Sequence, residues 1–407
     1  MKKILKYYIH LLLLCSVAGI MILQSCKKEK AGAPIITSVR NYVATPGDSI
    51  VQSIIPGQWV VIEGQNLKDA ILILFDGIPA TINSAMYTDS YAVVQVPSVI
   101  PFPSVPAELL NTIQYSTTEG STTFTFNVVA PPPTITSISN ENAKVGDPVI
   151  VHGTNLFLIK TITWAGTPIT NYTSSNDGLM LSFVLPELTQ SGPLQIVTAS
   201  GSRTTPYNVN DVKSGGICNF DDISTLSWGP SAVINSATLF PGGRGYYAQL
   251  NATGIGAGDF SWWNGGRGIN TNAVQWVPTT AMNDTVANYA LKFEISVPVP
   301  WSAGTLFVAA NYSWTYIARC APWLNADGST SAFSTGSSWR TVTIPFSVFK
   351  TKSDAGVNGQ GTPLTKFSDL LGSSGNTGMN IWFINDGKTP VASYNMAIDN
   401  IRVVKIK

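Results

Sequence analysis

Indole side chains are concentrated in one part of this 407-residue chain. Nine of its 11 tryptophans follow Lys213, and they are Trp228, Trp262, Trp263, Trp276, Trp301, Trp314, Trp323, Trp339 and Trp382. An indole presents a wide, flat apolar face and loses little rotamer entropy when it binds a ligand. The distribution therefore indicates a domain that stacks rings against a ligand, with filling of a core as the alternative for each ring.

Two segments place such rings beside polar side chains. One runs from Asp259 to Arg267 and is rich in glycine, which predicts an exposed loop, and the other runs from Asn311 to Trp323. A sugar ring packs its C–H face on an aromatic ring and needs fixed polar partners around its hydroxyl edge. The candidate sugar-binding residues are Trp262, Trp263, Asn264, Arg267, Trp314, Tyr316, Trp323, Trp382 and Asn385.

Strand periodicity gives some of these rings a competing role. Neighbouring residues of a strand point to opposite faces, so in a strand at least one of Trp262 and Trp263 would belong to the core. Tyr312 and Trp314 continue the alternation of the apolar run Leu306–Ala310, so a core position is a serious alternative for both. If this segment is a strand, Tyr312, Trp314 and Tyr316 share one face.

The composition of the same region argues against catalysis. The chain has two histidines, His10 and His152, and neither follows Lys213, which excludes histidine triads and histidine metal clusters there. Glu294 is the one glutamate of the region, whereas a glycosidase normally needs two facing carboxylates. The pair Asp221–Asp222 could replace them, but adjacent carboxylates near a domain start more often hold a structural Ca²⁺ or a turn. We therefore predict no catalytic residues, no metal ligands and no cofactor, with a structural Ca²⁺ as the alternative.

The first 25 residues have the layout of a secretory signal peptide. Basic residues precede an apolar run over Tyr7–Leu23. The run closes with Leu23-Gln24-Ser25-Cys26, which resembles the bacterial lipobox. That resemblance implies cleavage before Cys26, a lipid anchor on its thiol and a tether over residues 26–32. A plain transmembrane anchor is the alternative, although the run is slightly short for a span.

Two copies of one sequence pattern follow the tether. One begins with Ala33–Val39 and the other with Pro132–Ile138, and each continues into a strand that ends in Gly-x-Asn, at Gly64 and at Gly153. Such turn and strand spacing predicts hairpin-rich β-sandwiches. The set of motifs resembles the immunoglobulin-like IPT/TIG domain family. Spacing and orientation of a distal domain is the expected role of such tandem copies.

Alternating apolar residues predict that the last domain is a β-sandwich of the jelly-roll type. The clearest alternation covers Tyr289–Val297. Its inward face is predicted to carry Leu291, Phe293, Ile295 and Val297. Glu294 lies on the opposite face.

For several side chains of this domain, the sequence allows more than one role. Trp276 and Trp339 are expected to be mostly structural, whereas Trp382 fits either role. Cys218 and Cys320 could form one disulfide in an oxidising compartment or remain two buried thiols.

The predicted fold class is all-β, with two immunoglobulin-like (IPT/TIG) β-sandwiches in tandem followed by a larger, carbohydrate-binding-module-like jelly roll. The predicted domains cover residues 33–130, 131–212 and 213–407. The segments Cys218–Asp222 and Ile398–Val403 look like parts of carbohydrate-binding jelly rolls. The order of lipobox, tandem spacers and aromatic module resembles outer-membrane lipoproteins of the surface glycan-binding protein B type.

That resemblance implies a non-catalytic, cell-surface lipoprotein that captures a plant-type β-glycan, such as xyloglucan, mannan or mixed-linkage glucan, for an uptake system. It also implies attachment to the outer membrane and, on the resemblance alone, association with an outer-membrane glycan transporter. A net charge of +1 provides no field that would gather nucleic acid. The alternatives are a divergent Asp-based glycan-degrading enzyme and a protein-binding adhesin or scaffold.

Overall fold

A computed structural model describes residues 32–187 and 190–407 of the chain. The predicted signal peptide, Cys26 and most of the tether lie outside the described residues. The described chain is almost entirely β, as predicted. It forms two compact units: one extends to Ile100 and includes Ser104–Ala130, and the other comprises Pro101–Pro103 and Pro131–Lys407. Within the described part, no helix has the length and apolar character needed to cross a membrane.

The first domain is a sandwich with nine strands. They are β1 (Ile35–Asn41), β2 (Ser53–Ile54), β3 (Trp59–Gln65), β4 (Ala70–Phe75), β5 (Ile78–Pro79), β6 (Tyr91–Gln95), β7 (Thr112–Thr117), β8 (Gly120–Thr125) and β9 (Asn127–Val128). The sheet β1-β3-β6 faces the sheet β5-β4-β7-β8, and β2 pairs with β9 in parallel. Short 3-10 helices occupy Ser84–Met86 and Phe102–Ser104. Alternate residues of the two sheets fill the core, among them Val60, Ile62, Ile73 and Phe75.

The second domain repeats this plan with eight strands. They are β10 (Thr134–Ile138), β11 (Pro148–Thr154), β12 (Ile159–Trp164), β13 (Thr167–Pro168), β14 (Tyr172–Ser174), β15 (Met180–Val184), β16 (Gly192–Thr198) and β17 (Gly201–Val209). The sheets have the orders β10-β11-β15-β14 and β13-β12-β16-β17. Trp164 is fully buried at the centre of the core between them and meets Phe183 edge to face.

The repeated Gly-x-Asn motif requires glycine at its first position for the same steric reason in both copies. A β-carbon on Gly64 would lie 1.8 Å from the carbonyl oxygen of Ile35, and one on Gly153 would lie 1.9 Å from that of Thr134. Each contact joins the motif strand to the first strand of its own domain, next to a register shift in that pairing. The motif therefore marks a place where two backbones approach too closely for any side chain.

The third domain has thirteen strands. They are β18 (Gly216–Cys218), β19 (Leu226–Trp228), β20 (Ala232–Ile234), β21 (Tyr247–Ile255), β22 (Gly268–Thr271), β23 (Val274–Gln275), β24 (Tyr289–Ser296), β25 (Thr305–Ala310), β26 (Ala318–Cys320), β27 (Arg340–Pro345), β28 (Asn376–Thr377), β29 (Met379–Ile384) and β30 (Val391–Lys405). Its short helices are α1 (Phe367–Leu371) and the 3-10 turns Thr279–Ala281, Val286–Asn288 and Phe346–Val348.

Two large sheets face each other in this domain. One has the order β20-β21-β30-β24-β27, with β18 also paired to β30, and the other has the order β19-β22-β29-β25-β26. The residues predicted to face inward from β24 and its end all lie in the core: Leu291, Phe293, Ile295 and Val297. Trp276 and Trp339 are buried, as predicted for structural rings. The alternation in the sequence therefore identifies the core face correctly.

Glu294 does lie opposite that core, but the second domain covers it. Glu294 and Arg402 project from the outer face of the six-stranded sheet, and both are almost fully buried. Arg402 forms two hydrogen bonds with Glu294, of 2.9 and 3.0 Å, and one of 2.7 Å with Glu141 of the second domain. Asn142 of the second domain also donates to Glu294, at 3.1 Å. The second and third sandwiches therefore share a buried, polar interface.

The segment Lys213–Gly216, at the start of the third predicted domain, belongs to this junction. The backbone N–H groups of Lys213 and Ser214 donate to Asp211, and Gly216 pairs with Arg402 as the start of β18. The chain thus passes from one sandwich into the next through an ordered turn.

Cys218 and Cys320 are both free thiols. Cys218 is buried in the core of the third domain, and Cys320 packs against that core in β26. Burial raises the pKa of the Cys320 thiol to about 12, so it is protonated at neutral pH. Of the two alternatives in the sequence, the structure contains the separate thiols.

An aromatic platform on the third domain

The candidate site lies on the outer face of the five-stranded sheet. The inner face of this sheet contributes Leu306, Val308 and Ile381 to the main core. Because side chains alternate along a strand, their neighbours Phe307 and Trp382 point outward, and they are opposite each other on β25 and β29. Both are nevertheless fully buried, because a second layer of aromatic rings covers them.

We call that second layer the aromatic platform. It consists of Trp228, Phe260, Trp262, Trp263, Tyr312 and Trp314. Trp263 is the most exposed, with 59% of its surface accessible, and Tyr312, Phe260 and Trp228 are 39%, 39% and 37% exposed. Such a group of exposed rings on one sheet face is unusual unless it meets a ligand or a partner.

Three rings of the platform stack on one buried indole. Trp262, Trp314 and Tyr312 stack on Trp382, with centroid distances of 4.5, 5.3 and 6.2 Å and interplanar angles of 25°, 30° and 28°. The planes of these three rings therefore all lie within 30° of the plane of Trp382. Trp263 meets Trp262 edge to face, at 81°, and so stands up beside this flat area. The geometry provides an apolar floor with an upright side wall.

A buried amide network fixes the floor. Asn270 accepts hydrogen bonds from the Nε1 atom of Trp382, at 2.9 Å, and from Asn380, at 2.8 Å. Asn380 in turn accepts from the backbone N–H of Tyr312, at 2.7 Å. The Nε1 atom of Trp228 donates to the hydroxyl oxygen of Tyr312, at 3.1 Å. Buried and fully used amides of this kind hold rings in one orientation.

The loop that carries Trp262 and Trp263 is held at its two ends. Arg267 forms an ion pair of 2.9 Å with Asp259, and the Arg267 side chain is almost fully buried. The backbone N–H of Ser261 donates to Asp259, and with the Arg267 charge it holds the pKa of this carboxyl below its usual range. The sequence prediction of an exposed loop at this position is confirmed. Arg267, which was predicted to bind sugar, instead closes the loop through its ion pair with Asp259. Asn264 is exposed at the tip of the loop.

The alternation that favoured a core position for Trp314 stops before that residue. Strand β25 ends at Ala310, and Asn311 and Tyr312 have positive φ angles of 49° and 60°. This left-handed step reverses the chain and brings Trp314 onto the outer layer. Tyr316 packs against the main core instead, so the predicted common face of Trp314 and Tyr316 is not formed.

Three predicted site residues take other positions. Trp382 is fully buried under the platform and supports it from below. Asn385 is also buried, and its amide donates to the carbonyl oxygens of Gly256 and Thr389. Trp323 is half-buried at the edge of the sheet, away from the platform rings.

The structure adds Trp228, Phe260 and Tyr312 to the predicted set. Tyr312 lies inside the segment that the sequence analysis selected, and Phe260 lies inside the selected loop. Trp228 stands alone in a short polar segment, and only its pairing of β19 with β22 brings it to the other rings. No local pattern would have identified it.

The acidic pair Asp221–Asp222 is already occupied within the domain. Asp221 accepts from the backbone N–H of Tyr246, and Asp222 forms an exposed ion pair with Lys213. Among residues 32–187 and 190–407, no three His, Cys, Asp or Glu side chains are placed to hold a metal ion together.

The fold and the platform define a class: a multidomain β-sandwich protein in which immunoglobulin-like domains precede a larger sandwich with an aromatic outer face. Residues 209–405 match the family described as surface glycan-binding protein B xyloglucan binding domain. This part of the chain is thus similar to surface glycan-binding proteins of the B type, in line with the sequence resemblance.

Known structures resemble the chain over most of its length. The surface glycan-binding protein PbSGBP-B from Prevotella bryantii is 22% identical, with a TM-score of 0.68, over 93% of this chain and 100% of that one. A surface glycan-binding protein B from a complex xyloglucan utilization locus in Bacteroides uniformis is 20% identical, with a TM-score of 0.51, over 92% of this chain and 100% of that one. At these identities the likeness establishes a shared fold.

A curated relative matches a smaller part. An IPT/TIG domain-containing protein of Bacteroides ovatus is 25% identical over 231 residues, which are 52% of this chain and 47% of that protein. The chain thus aligns with about half the length of this curated relative.

Proposed function

We propose that the protein is a non-catalytic, cell-surface lipoprotein that captures a plant-type β-glycan for an uptake system. Candidate glycans are xyloglucan, mannan and mixed-linkage glucan. The observation that carries the proposal is the aromatic platform, a group of partly exposed rings of which three stack on the buried Trp382.

The platform suits a polysaccharide better than a globular partner or a small buried ligand. An extended β-linked chain presents successive C–H faces, and each can lie on a ring without enclosing the ligand. The rings are fixed by Asn270 and by the closed loop at Asp259, so binding orders few side chains. Exposed Asn264 and the hydroxyl group of Tyr312 supply polar partners beside the rings.

The relatives support the same class of ligand. The family that residues 209–405 match is described by its binding of xyloglucan. The structural relative from Bacteroides uniformis comes from a xyloglucan utilization locus. We extend to this chain the glycan class, and leave the particular glycan to experiment.

Absence of catalysis is part of the proposal. Glu294 is buried beneath the second domain and bonded to Arg402, on the opposite side of the sandwich from the platform. Asp259, the carboxyl beside the platform, is paired with Arg267. Neither is free to protonate or attack a glycosidic bond, and binding of this kind needs no cofactor.

The anchor and the partner rest on the sequence alone. The lipobox at Leu23–Cys26 supports attachment to the outer membrane through Cys26, with the domains facing the cell exterior. Association with an outer-membrane glycan transporter fits a protein that delivers a polysaccharide. If Cys26 is the lipidated residue, Cys26→Ser abolishes labelling by a fatty-acid analogue and moves the protein out of the membrane fraction.

Affinity gel electrophoresis with soluble xyloglucan, galactomannan and mixed-linkage glucan tests the central proposal. The full chain should be retarded by at least one of them, and Trp263→Ala should weaken that retention about tenfold or more with unchanged thermal unfolding. Tyr246→Ala is the matched control, because Tyr246 is similarly exposed but precedes β21 in the other sheet. Migration unaffected by every glycan, or equal loss in both variants, would refute the platform as a glycan site.

A further inference from the structure

A cavity of about 720 Å³ opens at one end of the platform sheet. It lies where β25 begins and β29 ends, and its walls include Trp301, Trp323, Arg319, Asn385 and Asp386. Its size falls within the range of about 300–1,000 Å³ that is usual for small-molecule sites. Two of the predicted sugar-binding residues, Trp323 and Asn385, therefore meet here and not at the platform.

The aromatic wall of this cavity is held in place. The Nε1 atom of Trp323 donates to the carbonyl oxygen of Gly304, at 2.7 Å, and one side of the ring packs against the main core. Trp301, which is buried, donates to the same carbonyl at 3.2 Å. Trp323 is thus a half-exposed ring with a fixed orientation, as a stacking surface requires.

The polar wall has unused hydrogen-bonding atoms of both kinds. Both hydrogen bonds that Arg319 makes with described residues, to Asp386 at 2.6 Å and to the carbonyl of Asn358 at 3.2 Å, use Nη1. Its Nε and Nη2 atoms remain as donors, and the second carboxylate oxygen of Asp386 remains as an acceptor. The Oδ1 atom of Asn385 is buried and has no partner among the described residues.

The cavity and the platform are neighbours on one sheet. Phe307 pairs with Trp382 on one side and with Arg319 on the other. The Arg319 guanidinium lies 4.8 Å from the centre of the Phe307 ring, and that ring contacts Trp314 of the platform. Two strand spacings, about 10 Å, therefore separate the row of Trp382 from that of Arg319. One oligosaccharide is long enough to occupy both places.

We propose that this cavity is a second carbohydrate subsite, which accepts a pyranose branch of the glycan whose main chain lies on the platform. This inference rests on the proposed function. A hydroxyl both donates and accepts, which matches the unused atoms of Arg319 and Asp386. The protein should therefore prefer branched over unbranched chains.

Isothermal titration of the full chain with two matched pairs tests this. One pair is a xylosyl-branched and an unbranched β-1,4-gluco-oligosaccharide, and the other is a galactosyl-branched and an unbranched manno-oligosaccharide, each with equal backbone length. Wild type should bind the branched member of one pair about tenfold more tightly. Trp323→Ala and Arg319→Lys should each remove most of that preference and leave affinity for the unbranched member unchanged. Trp263→Ala should weaken both members equally.

The outcomes separate the two proposals. No binding of any oligosaccharide or of the parent polysaccharides refutes the proposed function, and the subsite with it. Binding that depends on Trp263 but shows no branch preference, or a preference that both Trp323→Ala and Arg319→Lys retain, refutes the subsite alone. Arg319→Lys guards against a folding defect in Trp323→Ala, because it keeps the charge that pairs with Asp386 while removing the planar donors.

Discussion

Glu141 of the second sandwich and Arg402 of the third form an ion pair of 2.7 Å in which both side chains are only 2% exposed. Glu141 also accepts from Lys292, whose ammonium group lies 3.4 Å from the centre of the Tyr207 ring. Burial lowers the pKa of Lys292, and the charge of Glu141 opposes that shift. The carboxylate of one domain therefore compensates two cations of the other.

Glu141→Ala should destabilise the pair of domains strongly. The substitution leaves Lys292 and Arg402 buried with one carboxylate, Glu294, between them, and loss of one partner of a buried ion pair costs about 3–5 kcal/mol. Thermal unfolding of the full chain measures this as a lower midpoint. Asp222→Ala, which breaks the exposed pair with Lys213, is the control and should leave the midpoint unchanged. Equal midpoints for Glu141→Ala and wild type would show that the ion pair between Glu141 and Arg402 does not stabilise the folded protein.

This junction also shows what the sequence could and could not predict. The alternation of β24 placed Leu291 and Phe293 in the core and Glu294 opposite, because a two-residue period records which face is apolar. It could not show that Glu141, about 150 positions away, covers the opposite face. A strand face that is covered by polar contacts with another domain shows no alternation of apolar residues in its own sequence.

The sequence likewise predicted some features of the candidate site and could not predict others. Composition located the rings, and the glycine-rich segment at Trp262 and Trp263 predicted their loop correctly. The outer-layer position of Trp314 was not predictable, because Asn311 and Tyr312 adopt positive φ angles without a glycine to mark the turn. Trp382 fitted two roles because alternation gives its face but not the second layer above it.

Asn270→Ala should weaken glycan binding without touching the ligand surface. The substitution leaves the buried Nε1 of Trp382 and the amide of Asn380 without their acceptor, at about 1–3 kcal/mol for each unpaired group. We expect a lower unfolding midpoint and, because the platform rings lie on Trp382, a loss of affinity of several-fold. Gel retardation and thermal unfolding measured together check this.

The control for that substitution is Asn272→Ala. Asn272 is exposed at the end of the same strand, and its side chain has no comparable role. If Asn270→Ala behaved like Asn272→Ala in both measurements, the amide network would not be what orients the floor.

Gly153→Ala should destabilise the second domain through its backbone. The new methyl group would meet the carbonyl oxygen of Thr134 at 1.9 Å, so β10 must separate from β11, at a cost of about 3 kcal/mol. Gly256→Ala is the control, since a β-carbon there has no neighbour within 4 Å. Denaturant unfolding should show a lower midpoint for Gly153→Ala alone, and a wild-type midpoint would exclude the close approach.

Asp399 should make the protein less stable as the pH rises. It lies opposite Glu294 in the pairing of β24 with β30, and burial, with the charge of Glu294 as a second cause, raises its pKa from 3.8 to about 9. In the unfolded chain the carboxyl loses its proton above about pH 4, whereas in the folded protein it keeps the proton to about pH 9. Folding therefore takes up a proton between these values, and rising pH opposes it.

Asp399→Asn removes that proton uptake while keeping a neutral side chain of similar shape. The wild-type unfolding midpoint should fall between about pH 5 and about pH 8, and the variant should show a shallower fall and the higher midpoint at the alkaline end. Asp354→Asn, at an exposed loop position of the same domain, controls for the loss of one carboxyl and should retain the wild-type slope. If both variants have the same slope, Asp399 takes up no proton on folding, and this explanation of the pH dependence is wrong.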